Sequence, residues 1–341
     1  MSDQPLLEVD GLTKHFGGVT GLFGRKTPIL RAVNDVSLKV GEGETLGLVG
    51  ESGCGKSTLG RCISQLQEPT AGSVKFNGRE LIGLKGNDLR AMRREIQVIF
   101  QDPYGSLNPR KTVGSILSEA FRIHKLHPRA QWRDRVVELL ETVGLLPSHI
   151  DRFPHEFSGG QRQRISIARA LTLRPRLIVA DEPVSALDVS VQSQVLNLMM
   201  SLQRSHRLAY LFISHDLRVV RHISDRVGVM YFGRIVETSA TKALFDGPLH
   251  PYTKSLLSAV PKTGRRKNND RLILQGELPS PIRPPTGCSF HPRCPFRGER
   301  CSSEEPELRQ VMPGRWVSCH YPLLEDQRGL DSVPQYVGEA K

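Results

Sequence analysis

Gly50-Glu51-Ser52-Gly53-Cys54-Gly55-Lys56-Ser57-Thr58, directly behind the apolar run Thr45-Leu46-Gly47-Leu48-Val49, decides the fold. Its spacing is G-x-x-x-x-G-K-[ST], the pattern of a phosphate loop. Such a loop turns sharply from a strand into a helix while aiming successive backbone N–H groups at a polyphosphate. Gly50, Gly53 and Gly55 permit that path. The helix that follows presents its positive N-terminus to the anion. In this frame Lys56 reaches the β- and γ-phosphates, the Ser57 hydroxyl ligates Mg²⁺, and Thr58 lies close to the α-phosphate. Glu51, Ser52 and Cys54 complete the loop that would wrap the nucleotide.

Further along the chain, other stretches carry the matching chemistry. Leu177-Ile178-Val179-Ala180 reads as a central strand, with Asp181 and Glu182 emerging at its C-terminal end, where open α/β sheets place their ligands. Asp181 suits Mg²⁺, held through water, and Glu182 suits polarising a water that attacks the γ-phosphate. Ile96-Gln97-Val98-Ile99-Phe100 is a buried-type strand that delivers Gln101, a candidate for binding Mg²⁺ or positioning water. Ala209 to Ile213 forms another strand, whose end presents His215 to a γ-phosphate. Ser158-Gly159-Gly160-Gln161 precedes strong helix formers and makes a second anion-binding helix start about a hundred residues after the first. Two such sites suggest one nucleotide gripped from two sides, although the same turn by itself is a helix cap. Ser185 to Asp188 caps a helix running to about Arg204. Phe16, at the end of an early strand, either stacks on adenine or belongs to the core.

Composition narrows the class. A chain of 341 residues that is 38% hydrophobic supplies one large domain and a smaller one. No apolar run approaches the roughly 18 residues of a membrane span, and Met1-Ser2-Asp3-Gln4-Pro5 does not resemble a signal sequence, so a soluble protein that stays in the cytoplasm is expected. A net charge of +12 fits nucleic acid, an anionic membrane face or the holding of a polyphosphate. Aromatics at 6% and dispersed basic residues argue against nucleic acid.

The periodicity turns helical from Thr112 to about Gly144 and reads as an inserted helical subdomain, spanning about 106–165 within an ATP-binding domain of 1–260. A glycine-rich insertion from Gly17 to about Lys26 separates the first two β segments. A linker (261–285), a cysteine-containing segment (286–325) and a tail (326–341) follow. Cys288, Cys294, Cys301 and Cys319 are spaced x5, x6 and x17. In a reducing cytosol they point to a metal or cluster rather than disulfides; the residues alone suit iron–sulfur as well as zinc, and free buried thiols are a third reading.

Taken in order, the phosphate loop, Gln101, Ser158 to Gln161, Leu177 to Glu182, Ser185 to Asp188 and His215 resemble the ATP-binding subunits of ABC transporters over about residues 6–260. Phe157 replaces the commoner Leu before Ser-Gly-Gly-Gln. Gly47 to Arg61, Phe100 to Pro109 and His250-Pro251-Tyr252-Thr253 are similar to the oligopeptide/dipeptide branch, and the N-terminal insertion is similar to its second ATPase subunit. The resemblance implies a P-loop NTPase α/β core with an antiparallel β subdomain, an inserted helical subdomain and a small cysteine-containing C-terminal extension. It implies ATP and Mg²⁺ as ligands, with Asp188 and the Ser158–Gln161 turn contacting nucleotide across a head-to-tail pair. It also implies a non-identical ATPase partner, two transmembrane permease subunits, a substrate-binding protein and a place on the cytoplasmic face of the bacterial inner membrane. Residues 101–109 would link the γ-phosphate to a groove for a permease coupling helix, and mutating Tyr104 or Leu107 should then uncouple ATPase from transport. Cysteines in this branch can hold a [4Fe–4S] cluster, which favours that group over Zn²⁺. Nickel and glutathione importers use similar subunits. A soluble ABC-type ATPase would usually show two cassettes or a long coiled coil, and a phosphate-loop kinase would not need Ser158 to Gln161 or His215.

Overall fold

The computed structural model describes residues 4–18, 28–259, 279, 280 and 282–324. Most of the expected N-terminal insertion, much of the linker and the tail lie outside them. In chain order the elements are β1 (Leu7–Phe16), β2 (Leu30–Val40), β3 (Thr45–Val49), α1 (Lys56–Ile63), β4 (Ala71–Phe76), β5 (Arg79–Glu80), α2 (Gly86–Glu95), β6 (Ile96–Ile99), α3 (Pro103–Ser106), α4 (Val113–His124) and α5 (Trp132–Thr142). After these come α6 (Gly159–Leu171), β7 (Leu177–Asp181), α7 (Val189–His206), β8 (Ala209–Ile213), α8 (Leu217–Ile223), β9 (Arg226–Tyr231), β10 (Arg234–Ala240), α9 (Thr241–Asp246), α10 (Pro251–Ala259), β11 (Arg309–Met312) and β12 (Arg315–Val317).

An eight-stranded sheet of order β11-β12-β10-β9-β3-β8-β7-β6 carries the fold, and an antiparallel sheet β2-β1-β4-β5 packs beside it. From β9 to β6 the large sheet is parallel. Its strands are mostly apolar, and β8 is fully buried, because both faces are covered. In β7, Ile178 and Ala180 point into the core shared with the helical subdomain, whereas Leu177 and Val179 point into the core shared with α1 and the small sheet. Tyr210 and Phe212 of β8 alternate with Leu211 and Ile213 in the same way. This period of two fixes the register, since a one-residue slip would exchange the two cores. Register pairs Leu48 with Ile213, Asp181 with Ile213, and Ile99 with Ala180. The residues that follow β3, β6, β7 and β8 therefore leave the sheet at one edge.

The C-terminal segment is built onto this sheet. β12 pairs antiparallel with β10, Glu237 opposite Val317 and Thr238 opposite Trp316. Phe290 is buried in the large core, with its ring 5.2 Å from Tyr231 and 5.5 Å from Tyr252. The buried Glu237 carboxylate accepts the backbone N–H groups of Leu249 (2.9 Å) and His250 (2.8 Å) and so fixes the entry into α10. His250, also buried, accepts the Tyr252 N–H at Nδ1 (3.0 Å) and must be neutral to do so.

Burial lowers the His250 pKa to about 3 from the usual 6.5. The unfolded chain therefore takes up a proton below pH 6.5 that the folded chain refuses until about pH 3. Stability should fall with pH across that window, by at most about 1.4 kcal/mol per pH unit from this group. Burial raises the Glu237 carboxyl, which works in the opposite sense. Comparing pH-dependent denaturation of the wild type with His250→Gln isolates the histidine: the variant should lose about one proton's worth of slope.

Candidate functional site

Steric confinement shapes the phosphate loop. Gly50 has φ +155°, and a Cβ placed there would lie 2.1 Å from the Met230 carbonyl oxygen at the end of β9. Gly55 has φ +105°, and its Cβ would lie 2.0 Å from the Ala32 carbonyl oxygen on β2. No side chain fits either position. The Cys54 carbonyl accepts the Gly233 N–H at 2.9 Å, tying the loop to the β9–β10 turn. The Cys54 thiol is buried and its pKa is raised by that burial, which makes it packing rather than a reactive group.

Lys56 begins α1 and is itself buried, with Nζ donating to the carbonyls of Gly50 (2.8 Å) and Glu51 (3.0 Å). Beside it, Ser57 Oγ donates to Asp181 Oδ1 at 2.8 Å. Burial raises the Asp181 carboxyl, partly offset by the Ser57 donor and by Arg61. A hydroxyl and a carboxylate meeting in this way are hard oxygen donors of the kind Mg²⁺ takes.

Glu182 follows β7 with φ +48°, an uncommon conformation for a non-glycine residue that costs on the order of 1 kcal/mol. Its N–H donates to the Ile213 carbonyl (2.9 Å), which holds the kink. The kink brings three separate strand ends together: Gln101 Nε2 donates to Glu182 Oε2 (2.8 Å), and His215 Nδ1 lies 3.0 Å from Glu182 Oε1. The sequence indicated each of these residues, and the sheet register supplies their meeting point.

The Ser158–Gln161 turn is a reciprocal cap on α6, with Ser158 Oγ accepting the Gln161 N–H (3.3 Å) and Gln161 Oε1 accepting the Ser158 N–H (3.0 Å). Cβ atoms built on Gly159 and Gly160 would meet Leu187 and Val191, so this turn packs against the start of α7. Asp188 caps α7 by accepting the Val191 N–H (2.9 Å) and the Ser190 hydroxyl (2.7 Å), and these donors lower its carboxyl pKa. Phe16 ends β1 opposite Leu30, half-buried, with Lys14 Nζ 5.2 Å from its ring centroid. Tyr104, 65% exposed, lies under the Arg162 guanidinium at 3.7 Å. Leu107 corrects the groove expectation: it is 2% exposed and belongs to the large core, because its apolar side chain points inward as α3 ends.

Sequence reading missed two partners of the loop. The Glu51 N–H donates to the Tyr252 hydroxyl (2.8 Å), and the Glu51 carboxylate accepts both terminal nitrogens of Arg293 (2.9 and 3.1 Å). Tyr252 stood within a quoted stretch but without a role, and one arginine in a basic chain carries no signal. The four C-terminal cysteines form no disulfide; Cys301 and Cys319 are buried, and Cys288 and Cys294 half-buried. Burial pushes Cys294 and Cys319 up to about 12, and the other cysteines add to the shift in each. Among the described residues, no group of three or more His, Cys, Asp or Glu is arranged to hold a metal ion.

The ABC transporter family model matches residues 33–185, and the model for the oligopeptide/dipeptide transporter C-terminal region matches residues 236–301. The oligopeptide transport ATP-binding protein AppF of Bacillus subtilis is 53% identical over 94% of this chain and 98% of its own. The chain belongs to the ATP-binding proteins of peptide ABC transporters. The di/tripeptide transport ATP-binding protein DppF of Pseudomonas aeruginosa is 50% identical over 93% of this chain and 98% of its own. Among solved structures, a dimeric ATP-binding cassette in a post-hydrolysis state with ADP and Pi is similar at a TM-score of 0.61 and 28% identity, over 69% of this chain and 98% of that one. In this ABC ATPase, then, the loop, the Ser57–Asp181 pair and the Glu182 triad share one edge of the cassette sheet.

Proposed function

We propose that this ATPase subunit hydrolyses ATP at the edge where β3, β6, β7 and β8 end, and that hydrolysis powers import of dipeptides or oligopeptides. The observation that carries the reading is Glu182 held between Gln101 and His215 beside the Ser57–Asp181 pair. Backbone N–H groups of residues 50–58 cradle the phosphates, and Lys56 leaves its two carbonyls for the β- and γ-phosphates. Ser57, Gln101 and Asp181 would hold Mg²⁺, which when bound neutralises phosphate charge. Glu182 accepts a proton as a water oxygen bonds to the γ-phosphorus, and the bond to the bridging oxygen breaks with its electron pair on ADP. His215 contacts the γ-phosphate and orients Glu182. Phe16 stacks on the adenine.

The subunit pairs head to tail with a non-identical ATPase, so that Ser158 to Gln161 and Asp188 meet nucleotide on the partner's loop. Support comes from the packing of that turn on α7, which leaves Ser158 exposed. Two permease subunits hold the pair at the cytoplasmic face of the membrane, and a substrate-binding protein delivers the cargo. Among the described residues no helix is long and apolar enough to cross a membrane. Leu66, Phe100 and Ile123 leave apolar surface along a groove, which suits a permease helix. A [4Fe–4S] cluster, or Zn²⁺ as the alternative, would draw its ligands from the four cysteines, which are not arranged for a metal ion in this structure, and no step above depends on either.

Glu182→Gln should lower phosphate release about a hundredfold or more while ATP titration stays near wild type, because the geometry survives and the basicity does not. Retained turnover would move the base elsewhere. In a transporter assembled with neighbouring ATPase and permease subunits, Tyr104→Ala should keep basal ATPase and lose stimulation by peptide-loaded binding protein. Stimulation by nickel- or glutathione-loaded protein would reassign the cargo, and full activity indifferent to every permease would favour a soluble ATPase. Iron, acid-labile sulfide and zinc content of anaerobically purified protein separates the two cysteine readings. Iron and sulfide together mark the cluster; zinc alone replaces it.

A further inference from the structure

Glu51 is the most heavily tied residue of the phosphate loop. Its carbonyl accepts Lys56 Nζ, its N–H donates to Tyr252, and its carboxylate takes both arms of Arg293. The ion pair is largely removed from solvent, with side-chain exposures of 8% for Arg293 and 23% for Glu51. Arg293 lies one residue before Cys294 on a short helical turn (His291–Arg293) whose neighbour Phe290 is packed between Tyr231 and Tyr252. The guanidinium is thus delivered by a rigid part of the C-terminal segment.

A carboxylate on this loop is an electrostatic liability, since the loop exists to attract a polyphosphate. A buried, bidentate arginine removes that liability. We propose that Arg293 is a positioning residue of the nucleotide site: acting through Glu51, it cancels that carboxylate's charge beside the polyphosphate, making the C-terminal segment part of ATP binding. The inference rests on the assignment of residues 50–58 as the ATP site.

The test measures affinities of the purified full-length chain for ATP, ADP and AMP with Mg²⁺, for wild type, Arg293→Met, Arg293→Lys and the double variant Glu51→Gln/Arg293→Met. With Arg293→Met, ATP affinity should fall about tenfold or more at low salt. The loss should shrink between about 50 and 500 mM KCl, because added ions screen the freed Glu51 carboxylate. It should also diminish from ATP to ADP to AMP as phosphate charge is removed. Arg293→Lys should fall between, since it keeps the charge without the fork. The double variant should regain most of the affinity, which a purely architectural role for Arg293 would not allow. Should Arg293→Met fail to fold, a double variant that folds and binds ATP within a few-fold of wild type supports the inference. Wild-type affinity in Arg293→Met overturns it, as does a double variant as weak as the single one or unable to fold. A wild-type chain that binds no ATP overturns both this inference and the ATP-site assignment, whereas a binding wild type matched by Arg293→Met overturns this inference alone.

Discussion

A phosphate loop confined between two backbones, Met230 on one side and Ala32 on the other, is the constraint from which the rest of the structure follows. At those distances the chain has no room for a Cβ, so the loop path is fixed by its neighbours as well as by its own glycines. β9 must lie beside β3 to supply one wall, and the small sheet must fold against the large one to supply the other. The helical subdomain then covers the second face of the large sheet, which lets β7 and β8 be mostly apolar. Only with both faces covered do polar groups leave the sheet together at one edge.

Legibility from sequence depended on how far each feature reached along the chain. The loop was legible because spacing, glycines and the preceding strand sit within fifteen residues of one another. Asp181 and Glu182 were legible because four apolar residues lead directly into two carboxylates. The Ser158–Gln161 turn was legible as a helix start, and the reciprocal cap is the local chemistry those residues favour. Leu107 was misread because a leucine in a polar loop carries no sign of which way it points, and here it points into the core.

Partnerships across the chain were not legible. Gln101, Glu182 and His215 each stood out at a strand end, but their hydrogen bonds require the parallel register of β6, β7 and β8. Glu237 carried no sequence signal and His250 stood only within a stretch similar to the oligopeptide/dipeptide branch, yet both are buried and organise the entry to α10 through backbone N–H groups that no side-chain pattern reveals. The C-terminal segment read as an appended cysteine module. Its strands extend the large sheet, and Phe290 fills the same core as Tyr231 and Tyr252.

The pair of Glu51 and Arg293 spans 242 positions. Synthesis runs from the N-terminus, so the phosphate loop leaves the ribosome long before the residue that clasps it. Contacts of such separation also close late in folding, after the entropy of the intervening chain has been overcome. The Glu51–Arg293 contact can therefore form only after residue 293 has been made. A growing chain that has exposed only its phosphate loop still lacks the Arg293 clasp, because 242 positions separate the two residues.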